Sequence, residues 1–239
     1  MGVSVGHVHL IVADPDAQKK LFVDVLGAET KTLGFLQLVK VPGIVIVLSK
    51  ARTAPTEGSE GSTVNHFGFL VKSIADTKAK LVAANIPLAM DNDKNKQIIA
   101  VFPEKIRVEF TEDASLKGPS AFHHMHLATP NGETLRAWYV KTFGGTEGKR
   151  GNFLAAMFPG GEVDFLKVDK VQMPTKGRSL DHIGFEVKGL EEFCKKLQAE
   201  GVNFEVPYRV VPELGGLKIA YIADPEGTRI ELTEGFAAQ

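Results

Sequence analysis

Four of the chain's seven histidines recur at a near-constant interval: His7, His66, His124 and His182, spaced 59, 58 and 58 residues apart. Each sits in a short apolar run of strand type, "VGHVHLIV", "VNHFGFLV", "FHHMHLAT" or "LDHIGFEV". Imidazole carries protons near neutral pH and is a common ligand for transition metals. A second set recurs at the end of each repeat. Glu109 in "RVEF" and Glu231 in "RIEL" hold the same place in units two and four, Asp164 holds it in unit three, and Val47 in unit one. A carboxylate inside an apolar strand is costly to bury unless it is paired or coordinated. Two histidines and one carboxylate can form a three-ligand face with open positions, a set suited to Fe, Mn, Ni, Co or Zn. Any one of these residues alone reads as an ordinary strand residue. Both sets recurring at matching points is what favours a divalent metal ion.

The elements that must position these groups follow from the same repeat. After each histidine strand comes a helical pattern: "PDAQKKLFVDVLGAE", "SIADTKAKLVAANIP", "NGETLRAWYVKTFGGTE" and "GLEEFCKKLQAEGV". Those of units one and three end on Gly, a usual helix stop. Roughly three strand-like runs rich in Val, Ile, Leu and Phe then close each unit. Units one and three match each other, as do two and four, so the arrangement reads as a two-unit ancestor duplicated in tandem. Polar connectors separate the units at 51–62, 113–120 and 169–178; the first is Gly/Ser-rich and reads as mobile.

Composition bounds the rest. The chain has 239 residues, 44% hydrophobic and 24% charged, with a net charge of −1. That balance offers no electrostatic footprint for nucleic acid and no polybasic patch for a membrane surface. No apolar run approaches the ~20 residues of a membrane-spanning helix. The start, "MGVSVGHVHLIV", enters a strand at once, so a cytoplasmic location is expected as the sequence stands, or secretion if a leader has been removed. The lone Cys194, in "EEFCKKLQ", excludes an internal disulfide and reads as a small buried hydrophobe. No P-loop, dinucleotide fingerprint or H-E-x-x-H competes with the histidine repeat.

At this point the pattern resembles the vicinal oxygen chelate superfamily, of glyoxalase/bleomycin resistance protein/extradiol dioxygenase type. The most family-specific stretch is "YIADPEGTRIEL" (221–232), close to Y/F-x-x-D-P-x-G-x-x-x-E, in which Pro225 and Gly227 shape a tight turn before Glu231. The resemblance implies an α+β fold of four tandem βαβββ modules, forming two domains with curved mixed sheets. The expected N-terminal domain is 1–112 (modules 3–50 and 63–112), and the C-terminal one is 120–236 (modules 120–168 and 179–236). It carries metal ligation onto His7, His66, Glu109, His124, Asp164, His182 and Glu231. If modules pair 1+2 and 3+4, the sets are His7/His66/Glu109 and His124/His182/Glu231; if they pair 1+4 and 2+3, they are His7/His182/Glu231 and His66/Glu109/His124. Asp164 is a fourth ligand for the set containing His124 in either case.

Function is expected to be metal-dependent chemistry on a small substrate with vicinal oxygens, with glyoxalase-like lyase or isomerase chemistry favoured over dioxygenase. The region before Tyr221, "VVPELGGLKIA", lacks the upstream histidine of extradiol dioxygenases. The alternative is a metal-free protein that sequesters small molecules, as bleomycin-resistance proteins do; retention of both ligand sets argues against it. Glu231, Tyr221 and His126 are the expected catalytic groups, His126 as a proton carrier with His9 as its counterpart, while His123 reads as incidental. The Glu231 cleft is expected to do the chemistry, because unit two has "FPEK" where "DPEG" stands and Ile99 where Tyr221 stands. The partner is a small-molecule substrate, with the chain a monomer or homodimer.

Overall fold

The computed structural model describes residues 2–53, 55 and 57–236. Met1, and Ala54 and Thr56 in the first connector, lie outside them. Module one is β1 (Val3–Val12), α1 (Pro15–Leu26), β2 (Glu29–Leu33), β3 (Leu36–Val41) and β4 (Ile44–Lys50). Module two is β5 (Val64–Val71), α2 (Ile74–Ala83), β6 (Leu88–Asn92), β7 (Gln97–Phe102) and β8 (Ile106–Glu112). Module three is β9 (Ser120–Thr129), α3 (Gly132–Phe143), β10 (Thr146–Arg150), β11 (Phe153–Phe158) and β12 (Gly161–Lys167). Module four is β13 (Leu180–Val187), α4 (Leu190–Ala199), β14 (Phe204–Val211), β15 (Leu217–Ala223) and β16 (Arg229–Glu234). The four βαβββ modules expected from the repeat are all present.

Local chemistry explains the helix ends. Asp14 accepts hydrogen bonds from the backbone of Asp16 and Ala17, Pro15 opens α1, and Gly27 closes it at φ 66°. Ser73 caps α2 through Asp76 N. Each helix buries an apolar stripe on the sheets, Phe22 and Leu26 from α1 and Tyr139 and Phe143 from α3 among it.

The strands form two eight-stranded mixed sheets. One runs β14-β15-β16-β13-β1-β4-β3-β2, the other β10-β11-β12-β9-β5-β8-β7-β6. The first sheet therefore joins modules one and four, and the second joins two and three. Of the two pairings open on sequence, this is 1+4 and 2+3. Residues 1–112 and 120–236 are each divided between the sheets, whereas helix packing runs within each half. Phe22 of α1 packs on Phe67 of β5 and Phe102 of β7, and Phe143 of α3 stacks on Phe185 of β13.

Connector lengths suit this topology. Residues 113–119 step from β8 to β9 over the single intervening strand β5, a gap of about 10 Å that seven residues span with ease. The longer connectors each cross between sheets, and they are tied to one another. Thr63 N donates to Met173 O (2.9 Å), Met173 N to Gly61 O (3.1 Å), and the Arg178 guanidinium to the carbonyls of Gly58 and Glu60. The expectation of a mobile first connector is thus corrected for residues 57–63: Ser59 and Ser62 are buried, and Ser62 Oγ donates to backbone carbonyls.

At the middle of each sheet two modules meet in an antiparallel seam, β1 with β13 and β5 with β9. Each seam carries two register shifts. The extra residues are Gly6 and Asp181 in one seam, His123 and Asn65 in the other. Each of the four stands immediately before one of the repeated histidines. A bulge re-aims the side chain that follows it. Val5 and His7, two residues apart, would share a face in a regular strand; here Val5 joins the helix-side core and His7 turns to the concave side.

Across the seams His7 faces Gly184, and His124 faces Gly68. A Cβ at Gly184 would lie 2.0 Å from the nearest atom of the His7 ring, and one at Gly68 2.4 Å from the His124 ring. The other facing pairs are His9 with His182 and His126 with His66. Gly184→Ala is expected to displace His7, lower stability by about 1–3 kcal/mol and abolish metal binding at that seam; chemical denaturation and elemental analysis check both.

Candidate metal centres

His7 from β1, His182 from β13 and Glu231 from β16 bring their ligand atoms within 4.8 Å of one another on the concave side of the first sheet. His7 Nε2 lies 2.9 Å and His182 Nε2 3.1 Å from the same oxygen, Glu231 Oε2. All three residues are buried. His182 Nδ1–H donates to Asp181 Oδ1 (2.6 Å), which fixes the tautomer and leaves the Nε2 lone pair facing the carboxylate. Asp181 is itself held by Arg229 Nη1 (2.6 Å) and Gly177 N (2.7 Å). Neither nitrogen of the His7 ring has a partner in hydrogen-bond geometry. Three electron-pair donors thus converge on one point, where a single proton cannot serve both rings. A divalent cation can, so the residues fit the metal that the sequence implies.

Electrostatics at this first centre agree. Burial opposes charge on His182, yet hydrogen bonds to the Asp181 and Glu231 carboxylates outweigh it and raise its pKa. Burial likewise works against the Glu231 carboxylate, but His182 and His7 hold it well below the usual carboxylate range. The fourth position, beside His9 in the sheet register, is Val47, which cannot ligate.

The second centre lies across β5, β8 and β9, and the ligand atoms that come within 4.8 Å of one another there are those of His66, His124 and His126. His66 Nδ1–H donates to Asn65 Oδ1 (2.8 Å), and His66 Nε2 lies 3.1 Å from Glu109 Oε2. His124 Nε2 is 3.5 Å from Glu109 Oε1. Burial disfavours the Glu109 carboxylate, but His66 outweighs it and brings Glu109 to about 2. Burial lowers the pKa of His66 and of His124, the latter well below its ordinary value. The turn "FPEK" forms despite its altered residues, with Glu104 and Lys105 at φ 56° and 59°, so Glu109 still reaches the cleft.

Asp164, expected as a fourth ligand, has one of its two oxygens bound by Arg150. Arg150 Nε hydrogen-bonds Asp164 Oδ2 and lies 3.2 Å from Glu162, while its Nη2 donates to His126 Nε2 (2.6 Å). Burial and the neighbouring Asp164 charge push Glu162 up to about 7. His126 belongs to this centre, with its ring 4.4 Å from that of His66. It lies in the second sheet, whereas Glu231 and Tyr221, expected with it as catalytic groups, lie in the first. Its counterpart at the first centre is His9, with Nε2 2.8 Å from Ser49 Oγ and its ring 4.5 Å from that of His182. His123, read as incidental, is a bulge residue 3.9 Å from Glu162.

Tyr221 stands opposite Glu231 in the register of β15 and β16, as Ile99 stands opposite Glu109. Its ring packs against His182 at 5.2 Å and under the Arg229 guanidinium at 4.4 Å. Burial and Glu231 raise its pKa, so the phenol keeps its proton. Tyr221, His9, Val47 and Glu231 open into a cavity of about 160 Å³, walled by Leu36, Leu214, Leu217, Ile219 and Phe236. Phe35 and Arg209 also line it, and both are exposed. A larger hollow of about 560 Å³ beside the start of α3 has no converging set of donors.

Sequence reading missed Asp181, Asn65, Gly184, Gly68 and Arg150. For the first four a signal existed: modules two and four carry N/D-H-x-G where one and three carry G/H-H-x-H. Nothing in "EGKRGN" marked Arg150, because its contacts depend on how β10, β11 and β12 pair.

The sequence profile of the Glyoxalase/Bleomycin resistance protein/Dioxygenase superfamily matches residues 121–232. No curated protein matches the chain in sequence. Among solved structures, glyoxalase I from Zea mays is similar over 98% of this chain and 92% of its own, at 13% identity and a TM-score of 0.74. A glutamate-to-glutamine mutant of the same enzyme covers 98% and 94%, at 12% identity and a TM-score of 0.76. A candidate dioxygenase from Bacillus subtilis covers 98% and 86%, at 16% identity and a TM-score of 0.73. At these identities the likeness is one of fold. No helix among the described residues is long and apolar enough to cross a membrane.

The two centres should titrate differently once stripped of metal. His182, with its raised pKa, keeps a proton to higher pH than His66 or His124. Its pairing with Asp181 and Glu231 stabilises the fold below the ordinary histidine value and fades as pH rises through its own. Asp181→Asn is expected to lower the His182 pKa and flatten that dependence. Imidazole NMR titration of chelator-treated protein, with melting temperature against pH, reads both effects.

Proposed function

We propose that this chain, whose residues 121–232 match the profile of the glyoxalase superfamily, is a metal-dependent enzyme of that superfamily acting on a small substrate with two adjacent oxygens. The chemistry favoured is that of a lyase or isomerase, with oxygen chemistry second. The observation that carries this reading is the cavity over the first centre, which brings Glu231, Tyr221 and His9 to one apolar pocket. His7, His182 and Glu231 would hold the metal. A bound divalent cation would supply Lewis acidity to the paired oxygens and ease the loss of a neighbouring proton.

The chain's own groups have distinct tasks. The apolar walls exclude water and hold the body of the substrate. Tyr221, kept as a neutral phenol, donates a hydrogen bond to a substrate oxygen. Burial first, then the neighbouring His182, lowers the His9 pKa, so its imidazole is neutral at pH 7 and can accept a proton. His9 thus takes the proton-carrying role that sequence assigned to His126. A second reading, metal-free sequestration of an apolar molecule, draws support from the mostly apolar lining of the same cavity.

Elemental analysis of purified protein, and again after incubation with Fe(II), Mn, Ni, Co and Zn in turn, separates the two readings. Metal retained at the first centre supports the enzyme; a chain that takes up none supports sequestration. In assays against α-oxo and vicinal dioxygen compounds, Glu231→Gln and His182→Ala are expected to lose both metal and activity, by about a hundredfold or more. Glu109→Gln should leave most activity intact, and the reverse order would shift the chemistry to the second centre. His9→Gln should keep its metal and lower kcat by about a hundredfold or more.

A further inference from the structure

The two centres have lost their fourth ligand in opposite ways. In sheet register the counterpart of Arg150, opposite Phe153 across a two-residue turn, is Leu33, opposite Leu36 in module one. Module one therefore pairs Leu33 with Val47, and module three pairs Arg150 with Asp164. Leu33 and Val47 belong to the apolar cluster on the concave side of the first sheet. Arg150 enters the second centre, in contact with Asp164, Glu162 and His126 and 4.0 Å from Glu109 Oε1.

We propose that Arg150 is a built-in cation that competes with metal at the second centre. Its Nη2–H uses the lone pair of His126 Nε2, and its Nε–H uses an Asp164 oxygen. The same electron pairs would otherwise be open to a metal ion. Of the three residues whose ligand atoms converge there, His66, His124 and His126, the arginine thus occupies one. Glu109 lies 3.1 Å from His66 and 3.5 Å from His124, and both nitrogens of the buried His124 ring and Asp164 Oδ1 stay without hydrogen-bond partners. The centre thus retains a demand for positive charge that the guanidinium meets only in part. A dication entering there must displace Arg150 or sit against it, and like charges a few ångströms apart repel. The chain accordingly holds one metal tightly, at His7/His182/Glu231, and a second only weakly. The second centre's behaviour is independent of whether the first turns over any substrate.

Metal stoichiometry under chelator challenge tests the proposal, with Co(II) and Mn(II) as probes and visible spectra of the cobalt form as a second readout. The Glu231→Gln chain, which isolates the second centre, should retain no cobalt. Glu231→Gln combined with Arg150→Met should retain one equivalent, with affinity raised about tenfold or more. Arg150→Lys, which keeps a cation and tests for a merely structural effect, should stay near the parent. Tight cobalt at the second centre with Arg150 in place would overturn the proposal. So would a folded Arg150→Met chain with no gain, fold being judged by circular dichroism and by retained metal at the first centre in the single variant. A first centre that takes up no metal would sink the proposed function, yet leave the arginine comparison readable.

Discussion

The histidine-over-glycine seam is the contact on which both centres rest. A ligand imidazole from one module occupies the space that a Cβ on the facing strand would fill, at His7 over Gly184 and at His124 over Gly68. The seam is antiparallel, so the two strands contribute their histidines from opposite directions and the rings meet at one level. Four bulges then turn those rings to the same side. The concave site and the helix-side core are therefore products of one register. A shift by one residue would exchange them.

From that common frame the two centres have diverged by charge and by apolar bulk. The first has surrendered its fourth ligand position to Val47 and gathered Leu36, Leu217, Ile219 and Phe236 around the opening. The second keeps its acid but binds it with Arg150, and its surroundings are polar. The residue before His182 and before His66 follows the same division: Asp181 helps raise the pKa of the imidazole at the first centre, and Asn65 orients the one at the second.

Much of this was legible in the chain. The histidine period, the recurring acids and the turn before Glu231 defined four modules and the candidate ligands, in two alternative groupings. Which modules share a sheet was not legible, because H-x-H strands and H-x-G strands complement each other in either pairing. Strand alternation also fails at the bulges: Val5 and His7 have the same parity but opposite faces. His126 and Glu231 both belong to the second half of the chain, and the cross-half sheets place them in different centres. Arg150 was invisible because a guanidinium reaching over two neighbouring strands leaves no mark on local spacing.

The sheet order also sets a timetable for synthesis. The strand β1 is made first, and its seam partner β13 starts only at Leu180. Between these events the second sheet can close, since β5 meets β9 across a short connector. The open edge of β1 must meanwhile remain unpaired, and such edges recruit other chains. A ribosome paused between modules three and four would hold three of the four modules, with only His7 of the first metal centre's three ligands made. Folding of the first centre is thus bound to the synthesis of module four, while the second can assemble from modules two and three alone.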